Sequence, residues 1–109
     1  MDEIIARAYA LLNAKGLTNW TIETRNDVNS AGGTIHSKNV IWLSDIVIPL
    51  LPDESVWDVI LHEVSHAIVG RNHPEHGDFW VSTHKAMGGS GEQYIDVPEG
   101  FISRVKSLH

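Results

Sequence analysis

The chain has 109 residues, 42% hydrophobic and 20% charged, with a formal net charge of −6 and no cysteine. That length supports one modest core and not two, and the lack of cysteine excludes disulfides and thiolate metal sites. Eight basic residues against fourteen acidic ones, scattered along the chain, argue against a dominant nucleic-acid surface, which needs clustered Lys and Arg.

No apolar run approaches the ~18 residues of a membrane span, and the first ten residues, MDEIIARAYA, are acidic where a secretory signal is basic. The expectation is a single domain, 1–109, in a soluble cytoplasmic protein. Residues 2–15 place Ile4, Ile5, Ala8, Tyr9, Leu11 and Leu12 at helical spacing and stop at Gly16. Trp20, Ile22 and Thr24 alternate with polar neighbours, the pattern of a half-buried strand, and Asn29 to Gly33 is turn chemistry. Thr34–His36 and Val40–Ser44 read as two strands of a hairpin turning at Ser37, Lys38 and Asn39, with His36 an exposed strand histidine. Asp45–Leu51 is apolar but carries Pro49 and precedes Pro52, so it reads as a short helical turn or buried connector.

Residues 55–80, SVWDVILHEVSHAIVGRNHPEHGDFW, hold the chemistry. Ser55 and Asp58 match a capping box and Gly70 matches a helix C′ residue, predicting a helix of about fourteen residues. Its apolar stripe, Trp57, Ile60, Leu61, Val64, Ala67 and Ile68, leaves His62 and His66 on the face turned away from the core. Two histidines four apart on a helix lie within about 6 Å, so both imidazoles reach one metal ion. Glu63, about 100° round the helix from His62, is placed to act on a water there as general base. Beyond Gly70, His73 and His76 each offer a third ligand, leaving the fourth position of a catalytic zinc for water. A second helix is predicted from Gly77 to Met87, stopped by Gly88 and Gly89. Phe79 and Trp80 are its core residues, His84 its surface histidine, and Asp78 a first-turn charge or an acceptor for a ligand imidazole. Tyr94–Val97 reads as extended, and Glu99–Leu108 as a closing helix that docks Phe101, Ile102, Val105 and Leu108.

HEVSHAIVG followed by HGDFW resembles the SprT-like zinc metallopeptidases, whose members include the Spartan DNA-protein crosslink proteases, and most resembles their short forms. Gly32-Gly33 and the segment Val40–Ser44 are similar to the family's strand that ends in a Leu-Ser pair, so the likeness covers roughly residues 32–88. The resemblance implies that His62, His66 and His76 are the zinc ligands and that Glu63 is the catalytic residue. Two residue-level arguments also favour His76 over His73. Pro74 restricts His73 to extended conformations, whereas His76 stands at the mouth of a packed helix. The metzincin spacing requires glycine at position 69 and histidine at 72, where this chain has Val69 and Asn72. The tail lacks the cysteines of the zinc ribbon found in longer relatives, and the acidic charge gives no reason to carry over the DNA-dependence of Spartan.

The expected fold is α+β: an N-terminal helix, a small, mostly antiparallel three-stranded sheet, the HExxH helix, and a following helix carrying the third ligand. The expected function is that of a zinc metalloprotease, binding one Zn2+ per chain and acting on a protein or peptide. Glu63 serves as base and then acid, zinc stabilises the oxyanion, and an edge strand at Val40–Leu43 is the substrate's partner; Tyr94 or His73 could add a donor, but each reads first as a structural or surface residue. The alternative is a zinc-stabilised binding or regulatory module without turnover, which has no need of Glu63. A metal-dependent hydrolase acting on RNA is disfavoured by the acidic charge.

Overall fold

The computed structural model describes residues 1–70, 76–91, 94–96 and 104–106, the last two stretches through their backbone only. Helix α1 spans Asp2–Ala14, and its buried residues Ala8 and Leu12 lie four apart on one face. It ends where Gly16 predicts. The Leu17 amide donates to the Leu12 carbonyl at 2.8 Å and the Gly16 amide to Asn13 at 3.1 Å, the paired bonds of a Schellman cap. Tyr9 ties the helix to the sheet, its hydroxyl accepting from the Ile22 amide at 2.9 Å.

Strands β1 (Thr21–Arg25), β2 (Gly32–Ile35) and β3 (Val40–Ser44) form one sheet in the order β1-β3-β2. The predicted hairpin is present: β2 and β3 are antiparallel with Thr34 opposite Ile41. They are joined through a 3-10 turn at His36–Lys38 and a left-handed Asn39, so His36 lies in the turn and not on a strand. β1 adds to the other side of β3 in parallel, Ile22 opposite Ile41, which makes this sheet mixed. Since β3 has a partner on each side, Val40–Leu43 is the central strand and not the edge expected for a substrate. Its uninterrupted apolar run is itself the mark of a strand covered on both faces, and all five of its residues are buried. The Ser44 hydroxyl donates to the Asp27 carbonyl and accepts from the Val47 amide at 3.0 Å, turning the chain into the connector. There Val47 and Ile48 are buried around a 3-10 turn, Ile48–Leu50.

Helix α2 spans Asp53–Val69, longer than the fourteen residues expected, and Pro52 is its N-cap. Among the described residues no side-chain bond caps it, so the Ser55–Asp58 capping box does not form. The Pro52 carbonyl accepts from the Ser55 and Val56 amides instead, and the Asp58 carboxylate is engaged elsewhere. Helix α3 spans Asp78–Ala86. Two further strands, β4 (Tyr94–Asp96) and β5 (Arg104–Lys106), pair antiparallel with Ile95 opposite Val105. The expected closing helix is therefore overturned at 104–106, while Phe101, Ile102 and Leu108 lie outside the described residues. A helix of about ten residues is marginal by itself, and cross-strand pairing of β-formers such as Ile95 and Val105 overrides its periodicity.

The core joins Ala8 and Leu12 of α1, Ile22, Ile41 and Leu43 of the sheet, and Val56, Val59, Ile60, Val64 and Ala67 of α2. The same sheet face carries Gly32 and Thr34 at its β2 edge, because they stand opposite Leu43 and Ile41. No helix among the described residues is long and apolar enough to cross a membrane.

Candidate functional site

Periodicity leaves one face of α2 for water, but the structure covers it. His62 is 1% exposed, Glu63 0% and His66 4%, so the expectation of a histidine face turned out from the protein interior is corrected. An apolar stripe on one helix marks a single packed layer, and here α2 is packed on more than one side. β2 lies against Glu63 on one flank and α3 lies over the histidines on the other. At the far end of the stripe, Ile68 is exposed.

The three predicted ligands come together. His62 Nε2 and His66 Nε2 are 3.2 Å apart, and His76 Nε2 is 3.1 Å from each. A triangle with sides this short cannot accommodate three linear N–H···N bonds. Three nitrogens bound to one tetrahedral ion at about 2.0–2.1 Å stand about 3.3–3.4 Å apart, which is close to what is seen. Among the described residues these three are the group able to hold a metal ion. His76 is not on α3: it precedes Gly77, the N-cap, and has a φ of 55°. That left-handed conformation costs a non-glycine residue about 1–2 kcal/mol, and it accompanies a ring aimed back at α2.

Trp80 organises the cluster. Fully buried, its ring stacks on His66 at 5.4 Å, meets His62 edge-on at 4.6 Å and stands at 87° to His76 at 4.8 Å. Its indole N–H donates to the His62 carbonyl at 3.3 Å. Phe79, expected beside it in the core, is 54% exposed, since neighbours on a helix point about 100° apart. His84 shares the face of Trp80 and is fully buried, contrary to the surface position expected. Its Nδ1 accepts from the Gly91 amide at 3.1 Å, which places the ring proton on Nε2, 3.2 Å from Asp58 Oδ1. A Cβ on Gly89 would fall 2.0 Å from the His84 ring, so only glycine admits this contact. Asp58 also accepts from the Ser90 amide at 2.8 Å and its hydroxyl at 2.9 Å. Burial raises the Asp58 pKa, but the bonds from His84 and Ser90 outweigh it and hold the carboxyl below its usual range. Sequence reasoning missed this clip. The signal was the i, i+4 spacing of Trp80 to His84 and of Asp58 to His62.

Glu63 faces the sheet. Its Oε1 is 2.9 Å and its carbonyl oxygen 3.0 Å from Thr34 Oγ1, while Oε2 lies 3.8 Å from His62 Nε2. The approach depends on Gly32, where a Cβ would meet the Trp42 carbonyl oxygen at 2.9 Å and Glu63 Cγ at 3.4 Å. Ser65, inside the motif, satisfies its buried hydroxyl by donating to the Leu61 carbonyl at 2.6 Å.

Burial pushes the His66 pKa down to about 3, helped by the charges of His76, His36 and His84. The imidazole is therefore neutral at ordinary pH, the form that binds metal. His36 is half-buried with its ring edge-on to Trp20, and it is outside the ligand triangle. Asp78 is an exposed first-turn charge on α3, the simpler of its two readings. His73 lies outside the described residues, as does the side chain of Tyr94.

No curated protein matches the chain. The SprT-like family profile matches residues 2–99, nearly the whole length and well beyond the motif region. With the HExxH helix, the converging third histidine and the α+β frame in place, that match shows that the chain belongs to the SprT-like family.

Proposed function

We propose that this chain is a zinc-dependent peptidase, in which His62, His66 and His76 hold one zinc ion and Glu63 moves the proton. The observation that carries the proposal is the Nε2 triangle, 3.1–3.2 Å on a side, with Glu63 Oε2 at 3.8 Å from one corner. Three neutral imidazoles suit zinc and not magnesium or calcium, which prefer oxygen. A zinc ion so held would supply Lewis-acid chemistry, lowering the pKa of a water towards neutrality and polarising a carbonyl. Glu63 takes the proton from the attacking water at Oε2 and returns it to the leaving amine. Ring contacts from Trp80 fix the imidazoles, so their nitrogens need no reorganisation to hold the ion.

The substrate is a protein or peptide in this reading. β2 is the sheet edge next to Glu63, pairing among the described residues with β3 alone, so an extended chain laid along it would pass the base. The domain is proposed to work as one unit in the cytoplasm. The test combines elemental analysis with Glu63→Gln. One zinc per chain, retained in the variant while proteolysis disappears, is the expected result. Zinc retained with no cleavage by either protein would favour the binding module, and metal-free protein after reconstitution at neutral pH would end the metallopeptidase reading.

A further inference from the structure

We propose that Thr34 is a positioning residue for Glu63: its hydroxyl, on the edge strand, decides which carboxylate oxygen faces the histidine triangle. The inference rests on Glu63 being the general base. Thr34 Oγ1 is 2.9 Å from Oε1 and 3.0 Å from the carbonyl oxygen of the same residue. A hydroxyl has one proton to donate, and either acceptor ties β2 to Glu63. With Oε1 occupied, Oε2 is the oxygen left on the side of His62 Nε2, at 3.8 Å. Gly32 forms the floor beneath the side chain, its Cβ position 3.4 Å from Glu63 Cγ. The side chain is thus bounded by backbone along its stem and held by a donor at its tip.

This arrangement suits proton transfer. The Thr34 bond leaves Oε2 free of that donor when it accepts the proton from water, and Oε1 goes on accepting from Thr34 while the proton resides on Oε2. Preorganised donors that keep their partner through the reaction cost no rearrangement, whereas a misplacement of about 1 Å in a reacting group costs about 100-fold in rate. The strand proposed to carry an extended substrate also carries the group that aims the base, so substrate and base share one reference frame.

The experiment uses zinc-loaded Thr34→Val, Thr34→Ser and Glu63→Gln, with an internally quenched peptide chosen from a mixed pool by wild-type cleavage. Valine keeps the shape of threonine and loses the donor; serine keeps the donor. Expected for Thr34→Val is a kcat about 30- to 100-fold lower with KM within about twofold and zinc content unchanged, with Thr34→Ser recovering to within about threefold of wild type. A readout independent of turnover is a double-mutant cycle of Thr34→Val with Glu63→Met on urea unfolding of the metal-free protein. There the coupling is expected to be about tenfold in the unfolding equilibrium constant. Additive effects in that cycle, an unchanged kcat in Thr34→Val, or activity lost through KM or zinc would overturn the proposal while leaving the peptidase reading intact. No cleavage by wild type would instead sink the peptidase reading, and the role of Thr34 with it.

Discussion

The two flanks of α2 handle the same helix in opposite ways. On the α3 flank the contacts are between rings: Trp80 touches His62, His66 and His76 and gives one N–H to the α2 backbone. On the β2 flank the contacts are a hydroxyl and the empty space above a glycine, both addressed to Glu63. The first flank is assembled from residues 10 to 22 positions downstream of His66 or His62, the second from about 30 positions upstream of Glu63. The histidine triangle and the Glu63 carboxylate therefore rest on different parts of the chain, and each can be broken without the other.

Trp80→Ala is the largest break on the α3 flank. Removing a fully buried Trp costs about 3–5 kcal/mol, a large share of the stability of a small domain, and releases all three imidazoles. Urea unfolding should show that loss, and metal affinity should fall by about 10- to 100-fold. Trp80→Phe, which keeps a ring but loses the N–H to His62, should lie between. Phe79→Ala, at a half-exposed neighbour, should stay within about 0.5 kcal/mol of wild type. Equal losses in the two alanine variants would refute the assignment of the cluster's support to Trp80.

His76→Ala tests the ligand set without emptying the core, because this ring is only half-buried and its left-handed backbone loses nothing when alanine replaces it. Zinc affinity should drop by at least about 100-fold with the metal-free fold retained, read by competition with a chelator and by circular dichroism. His73→Ala should keep the metal. The reverse pattern would move the third ligand to His73.

The metal-free protein should also report on His66 through acid. Its pKa is about 3 in the folded state against an ordinary value of 6.5, so between those values the unfolded chain binds a proton that the folded chain refuses. Stability then rises with pH across that interval and is lost as pH falls from 6.5 towards 3, by roughly 3–5 kcal/mol at its full extent. Urea midpoints measured with chelator present should fall steadily over that range. In His66→Gln the part of the fall between 6.5 and 3.8, above the range in which Asp58 titrates, should be absent, and a fall of the same size there would assign the acid sensitivity to another group.

These tests also mark what could be read from the residues. The HExxH helix, the hairpin and both helix ends at Gly16 and Gly70 were legible because each depends on contacts within a few residues. Burial of the histidine face was not, because Trp80 and Thr34 reach α2 from elsewhere in the chain, and periodicity ranks faces of one helix without knowing how many layers cover it. His84 was misread for the same reason: a polar residue on a helix is assigned to the surface unless its partner, here Asp58 from α2, is already in view. The sequence marks β3 as an edge because a hairpin announces one neighbour, and the parallel strand β1 leaves no local signature.

Asp58→Asn should give a small effect and separates the outer clip from the ligand set. Asp58 accepts from the Ser90 amide and hydroxyl and from His84, and asparagine keeps one acceptor while losing the charge. The group is partly exposed, so its electrostatic worth is discounted for screening, and a loss of about 1 kcal/mol is expected at neutral pH. The sign with pH is that of a depressed carboxyl: its contribution is present above the ordinary carboxylate value of 3.8 and disappears as pH falls through the lower folded value. Asp58→Asn should therefore lose the steepest acid part of the wild-type curve while keeping the decline that begins near 6.5 and belongs to His66. Metal affinity should move by less than about threefold, because His84 meets one ligand ring, that of His62, edge-on at 5.8 Å, while Trp80 touches all three and holds them whether or not the clip is closed. A drop as large as that of His76→Ala would mean that clip, indole and ligands act as one unit, and that the α3 flank of α2 extends to Ser90.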